Sequence, residues 1–178
     1  MAEIITEHLS IDTLEGDIRQ IFEYWQSLKG DRLGPSWRQF DLMKLPTRRI
    51  PFTIITDIVD AERGVMSYRF VGTDFRRVHG IELTGKSPLD VPPADLGRRL
   101  YDDLIDIVKQ QKPTFSQHQL AGIKVLEILQ RVIRLPLSDD SQQVSHIVSV
   151  VDYVEDRNDV ENFLSIGSTA DIYEPNTS

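Results

Sequence analysis

The stretch from Tyr68 to Lys86, Tyr-Arg-Phe-Val-Gly-Thr-Asp-Phe-Arg-Arg-Val-His-Gly-Ile-Glu-Leu-Thr-Gly-Lys, constrains the fold more than any other part of this chain. It reads as a strand, a Gly72-Thr73 break, a short helix ending at His79-Gly80, and a Leu83-Thr84-Gly85-Lys86 turn. Gly72 lets the chain leave a strand without a Cβ clash, and Gly80 and Gly85 permit a tight return under a sheet. Thr73 or Asp74 is suited to cap the short helix. Nothing in the stretch groups into a catalytic centre; it reads as scaffold around a small pocket.

The flanking sequence supplies the rest of the architecture. Leu14, Ile18, Ile21, Phe22, Trp25 and Leu28 recur at helical spacing, with Asp12 as cap and Lys29-Gly30 as stop. The first dozen residues carry no clear period. A proline-punctuated connector from Asp31 to Pro51 follows, pinned by Trp37, Phe40, Leu42 and Leu45. The runs Phe52 to Val59 and Val65 to Val71 form a predicted hairpin about the turn at Asp60 to Gly64. Beyond Pro92-Pro93, Leu96, Leu100, Leu104 and Val108 mark a helix ended by Lys112-Pro113. Strands are expected at Thr114 to Ala121, Lys124 to Leu137 and Val144 to Val154, with Gly122 and Ser138-Asp139-Asp140-Ser141 at the turns. Past Asp156 the text is polar, with a short helix expected around Phe163, Leu164 and Ile166 and a loose tail after it.

In the long strand, Ile128, Val132 and Arg134 share one face, and Leu129, Arg131, Ile133 and Leu135 share the other. Neither face is cleanly polar, so a sheet covered on both sides is expected. A buried Arg131 or Arg134 would need an anion or hydrogen-bond partner: Asp57, Glu127, a backbone carbonyl or a ligand carboxylate. The fold class is therefore α+β: a five-stranded antiparallel sheet with helices on one face, plus an N-terminal amphipathic helix. The expected division is 1–50 for that helix and connector, 51–155 for the core and 156–178 for a polar tail.

With 178 residues, 40% of them apolar, the chain suits one domain with a full core. A net charge of −8 argues against nucleic acid and against an anionic membrane surface. Without cysteine there is no disulfide, thiol nucleophile or thiolate metal site. No N-terminal run suits a signal peptide or membrane span, so a cytoplasmic location is expected.

Three blocks, in this order and spacing, resemble the PAS domain, and within it a stand-alone alphaproteobacterial family of the PAS-5 type. They are Tyr24-Trp25-Gln26-Ser27-Leu28-Lys29-Gly30-Asp31-Arg32 with Pro35-Ser36, the stretch Tyr68 to Lys86, and Arg134-Leu135-Pro136-Leu137-Ser138-Asp139-Asp140. The resemblance spans roughly 20 to 155. It implies a signalling module that binds a small apolar or amphipathic ligand, or a signalling protein, in or over a pocket. It also implies a homodimer through the helix from Thr13 to Lys29.

On this reading the ligand-facing candidates are Tyr68, Phe70, Phe75, Val78, His79, Leu104 and Arg131. No cofactor is specified. Haem sensors of this fold carry their ligand histidine on the long helix, which here has none, and flavin photosensors need a cysteine. His8, His79, His118 and His146 form no ligand-spaced pair, so surface or partly buried positions are expected of them. Asp102, Asp103 and Asp106, and the Asp139-Asp140 pair, read as solvated surface. The alternative is a small-molecule isomerase or hydrolase using the same cavity, with Tyr68 and Asp57 as its nearest catalytic candidates.

Overall fold

In the computed structural model, residues 3–153 are described apart from residues 93 and 122–127. Side chains at 3, 4, 77–79, 120, 121, 128, 129 and 153 also lie outside the description. The Phe163 to Ile166 helix, the tail and the Gly122 turn thus fall outside it.

The molecule is α+β, built on an antiparallel sheet of six strands in the order β1-β4-β5-β6-β2-β3. The strands are β1 (Glu3–Leu9), β2 (Thr53–Asp60), β3 (Val65–Val71), β4 (Thr114–Ala121), β5 (Ile128–Leu137) and β6 (His146–Tyr153). The expected count was five. The sixth is β1, which pairs along β4 from Glu3 opposite Ala121 to Leu9 opposite Phe115. Its sequence, Glu-Ile-Ile-Thr-Glu-His-Leu, doubles its apolar residues instead of alternating them. As an edge strand with Ile5 and Glu7 exposed, it carries only a weak two-residue period.

One face of the sheet is covered by α1 (Gly16–Lys29). Leu14, Ile18, Ile21 and Trp25 bury against Ile55, Phe115, Ile133, Leu135, Leu137, Val148 and Val150. Trp25 Nε1 also donates to the Pro136 carbonyl at 2.8 Å. The expected Asp12 cap does not start this helix. Ser10 caps a separate turn at Ile11–Thr13, and α1 begins at Gly16, whose φ of +54° breaks the path between the two.

The other face is covered by α2 (Thr73–His79), the turn Pro88–Asp90 and α3 (Ala94–Gln110). α3 is fastened along its length. Gly97 sits where a Cβ would lie 2.7 Å from the Val91 carbonyl oxygen. Tyr101 Oη donates to the Gly64 carbonyl at 3.0 Å, and Gln111 Nε2 to the Gln142 carbonyl at 2.8 Å. Neither Thr73 nor Asp74 caps α2: its first position follows Gly72 with no side-chain cap. Gly72 is required because a Cβ there would meet the Pro51 carbonyl oxygen at 2.2 Å.

The stretch from Tyr68 to Lys86 closes on itself. Tyr68 N donates to the Lys86 carbonyl at 2.9 Å, and Gly85 N to the Tyr68 carbonyl at 2.7 Å. The outer edge of β3 is thereby covered at Tyr68. A bulge lies at the same place, because Ile55 pairs with Phe70 while Thr56 pairs with Tyr68. The extra residue sends Tyr68 to the α3 side and Phe70 to the α1 side.

A buried polar stripe between the sheet and α3

A sheet face roofed by an amphipathic helix is normally apolar, since each buried polar group costs free energy unless it is paired. The α3 side departs from this along one diagonal. Each of the six strands gives it a polar residue: Thr6, His118 with Ser116, Arg134, Ser149, Thr56 and Tyr68. Thr6 stands opposite His118, Arg134 opposite Ser149, and Thr56 opposite Tyr68. Ser116 is diagonal to Arg134, and Thr56 is diagonal to Ser149. All but the half-buried Thr6 are buried. Around them lie Ile54, Val132, Leu83, Val91, Leu104 and Ile107.

Arg134 is the centre of this stripe, 3% exposed. Its partner comes from α3: Arg134 Nη2 lies 3.1 Å from Asp103 Oδ2. Asp103 was expected in solvent, but its side chain is 9% exposed. It lies one turn from Arg99, whose Nε is 3.0 Å from Asp103 Oδ1 and whose side chain is 38% exposed. His118 completes the group. Its Nδ1 shares a 2.9 Å hydrogen bond with Thr6 Oγ1, and its Nε2 lies 3.6 Å from Asp103 Oδ2 and 3.5 Å from Arg134 Nη2. Burial, then the charges of Arg134 and Arg99, hold the imidazole pKa down at about 3, so the ring is neutral at ordinary pH. Burial likewise raises the Tyr68 phenol above its usual range. Arg134 itself is pulled down by burial, and Asp103 acts against that.

The stripe is not self-satisfied. Thr56 Oγ1, Arg99 Nε and Asp103 Oδ2 are buried atoms without a hydrogen-bond partner among the described residues. No other described side chain contributes such an atom. For Arg99 and Asp103 the oppositely charged atoms are close but off the hydrogen-bond direction.

A second polar group lies on the α1 side. His146 Nε2 is 3.4 Å from Asp57 Oδ1, and His146 Nδ1 is 2.9 Å from Ser145 Oγ. Asp57 also accepts from Arg69 Nε at 2.7 Å, and the Trp37 ring stacks with His146 and carries the Arg69 guanidinium over it. Asp139 accepts from Trp37 N at 2.9 Å. These bonds fasten the connector onto the sheet. They also consume Asp57, which is on the opposite face from Tyr68, so the pair considered for catalysis is split by the sheet.

The seven ligand-facing candidates divide in the same way. Tyr68, Phe75 and Leu104 share the α3 side, Phe75 against Val132 and Val151. Phe70 packs in the α1 core. Arg131 is half-buried on that side too, donating to Gln117 Oε1 at 3.2 Å. Val78 and His79 close α2, their side chains outside the description. Arg134, Asp103, His118 and Thr56 are brought together without having been singled out as a site. The two-residue period of β5 did place Arg134 on the face of Val132, away from Arg131. The signal that would have added Asp103 is its position beside Leu104, on the flank of the α3 stripe.

Fold and site together define an α+β domain with an open six-stranded antiparallel sheet and a buried, partly unsatisfied polar stripe under a helix. Against protein-family models, curated proteins and solved structures, the chain has no match. Among the described residues, no helix is long and apolar enough to cross a membrane, and no group of three or more His, Asp or Glu is placed to hold a metal ion.

Proposed function

We propose that this domain is a PAS-like sensory or regulatory module that takes a small ligand between its sheet and α3 and acts in signal transduction through protein contacts. The observation that carries this is the polar stripe, with its three unsatisfied atoms set in an otherwise apolar layer. An apolar filling would serve stability as well or better than a buried Arg134–Asp103 pair, so the stripe calls for another role.

The resemblance supports the same reading. Without β1, five antiparallel strands remain, with α2 and α3 inserted between the second and third of them on one face. Two of the three blocks that carry the resemblance meet directly: Trp25 donates to Pro136, and Ser138 N donates to the Pro35 carbonyl at 3.0 Å. The inner face of α1 is spent on its own sheet, so the homodimer expected through this helix draws no support from it. The enzymatic alternative has lost its candidate pair, because Asp57 and Tyr68 stand on opposite faces of the sheet.

Native mass spectrometry of the freshly purified protein tests the ligand. The expected result is a mass excess that disappears on denaturation and is reduced in the Asp103→Leu/Arg134→Leu double variant. A native mass equal to the bare chain, together with no stabilisation by any member of a broad small-molecule library, would sink the proposal.

A further inference from the structure

Charge in the stripe is out of balance. Among the described residues of this layer, two guanidinium groups, Arg99 and Arg134, face one carboxylate, Asp103. His118 is neutral there and adds no charge. Tyr68 is a neutral phenol. His8, opposite Ser116 on β1, is exposed to solvent. Asp90, which also acts on Tyr68, is exposed and closes a capping box with Ser87. One positive charge is thus left over, shared between the buried Arg134 and the part-exposed Arg99 at the rim of the layer.

The unsatisfied atoms mark where a ligand would be met. Arg99 Nε is a donor without a hydrogen bond, beside the charge excess. Thr56 Oγ1 is unpartnered two strands from Arg134 and two residues further along, about 12 Å away from the strand spacing and rise. Between them on the sheet stands Ser149, and around the two lie the apolar Ile54, Val91, Leu104 and Ile107.

Building on the ligand-site reading above, we infer that the ligand is a monocarboxylate with a short apolar body. Its carboxylate lies against Arg99 and Arg134, its body under α3, and a polar group at its far end reaches Thr56. A guanidinium–carboxylate contact of this kind is charge-assisted and bidentate in its best geometry. A dianion would overshoot the single excess charge, and a cation would add to it.

The test is titration calorimetry with four probes: octanoate, whose extended chain is of the right length, ω-hydroxyoctanoate, octanamide and octanol. Octanoate is expected to bind the wild type, with octanamide and octanol weaker by about tenfold or more, the range of a lost charge-assisted hydrogen bond. Arg99→Gln, at a part-exposed helix position, is expected to abolish the preference for octanoate over octanamide. ω-Hydroxyoctanoate is expected to bind more tightly than octanoate, and Thr56→Val to erase that gain. Equal binding of octanoate and octanamide, or octanoate binding unchanged by Arg99→Gln, overturns the anion and leaves a ligand site in place. Binding of none of the four also overturns it, and the native mass measurement then decides the ligand site on its own.

Discussion

Asp103 and Arg134 show how much a single residue's surroundings change its meaning. On a helical wheel Asp103 is an ordinary surface acid; in the fold it is the counter-ion of an arginine that is 3% exposed. Removing one member of such a pair is costly because the other remains charged in a dry place. Asp103→Leu is therefore expected to cost about 3–5 kcal/mol in denaturant unfolding. Adding Arg134→Leu should return most of that loss, because Leu104 and Ile107 already offer apolar neighbours. A double variant as unstable as the single one would show that Arg134 is held by more than Asp103. The same pair explains why its site was hard to read in the sequence. The strand period put Arg134 on the correct face, but nothing local says which helix position lies above it. That depends on how far α3 slides along the sheet, which Gly97, Tyr101 and Gln111 fix through distant contacts.

At the scale of elements, α1, the first hairpin, α2, α3 and the last three strands were legible because each has a clear period or a clear stop, a glycine, a proline or the Ser138-Asp139-Asp140-Ser141 turn. β1 was not, since an edge strand has little to bury and shows little pattern. The bulge between Ile55 and Thr56 was equally silent, yet it decides that Tyr68 and Phe70 face opposite ways. Contacts between elements also set the energetics. Trp25→Phe keeps the ring in the α1 core but leaves the Pro136 carbonyl without its 2.8 Å donor, at an expected cost of about 1–3 kcal/mol. A thermal midpoint equal to wild type would contradict it. Gly97→Ala sets two effects against each other. Alanine favours the helix by up to about 1 kcal/mol. Its Cβ, however, would stand 2.7 Å from the Val91 carbonyl oxygen, a backbone atom that cannot swing away. The clash is expected to win, giving net destabilisation in thermal unfolding.

For the whole molecule, the buried histidines tie stability to pH. His118 titrates at about 3 in the fold, against about 6.5 in the unfolded chain. Below pH ~6.5 the unfolded chain takes up a proton that the folded one refuses, so the folded state loses ground as pH falls. The slope from this residue reaches about 1.4 kcal/mol per pH unit, runs down towards its folded pKa, and vanishes above about 6.5. His146, lowered by burial against the opposing pull of Asp57 and Asp139, adds to the same trend. Urea titrations across this window should show the loss, and His118→Gln should flatten part of it. An unchanged slope in that variant would mean that His118 is protonated in the fold.

The polar stripe joins these scales: one or two residues from each strand, one helix above, and three buried atoms without a hydrogen-bond partner among the described residues. Electron density from a crystal of the protein as purified tests that claim most directly. A small molecule between the sheet and α3, within hydrogen-bond reach of Thr56 Oγ1 and Arg99 Nε, is the predicted result. A layer filled by side chains alone, with both atoms bonded to protein groups, would contradict it.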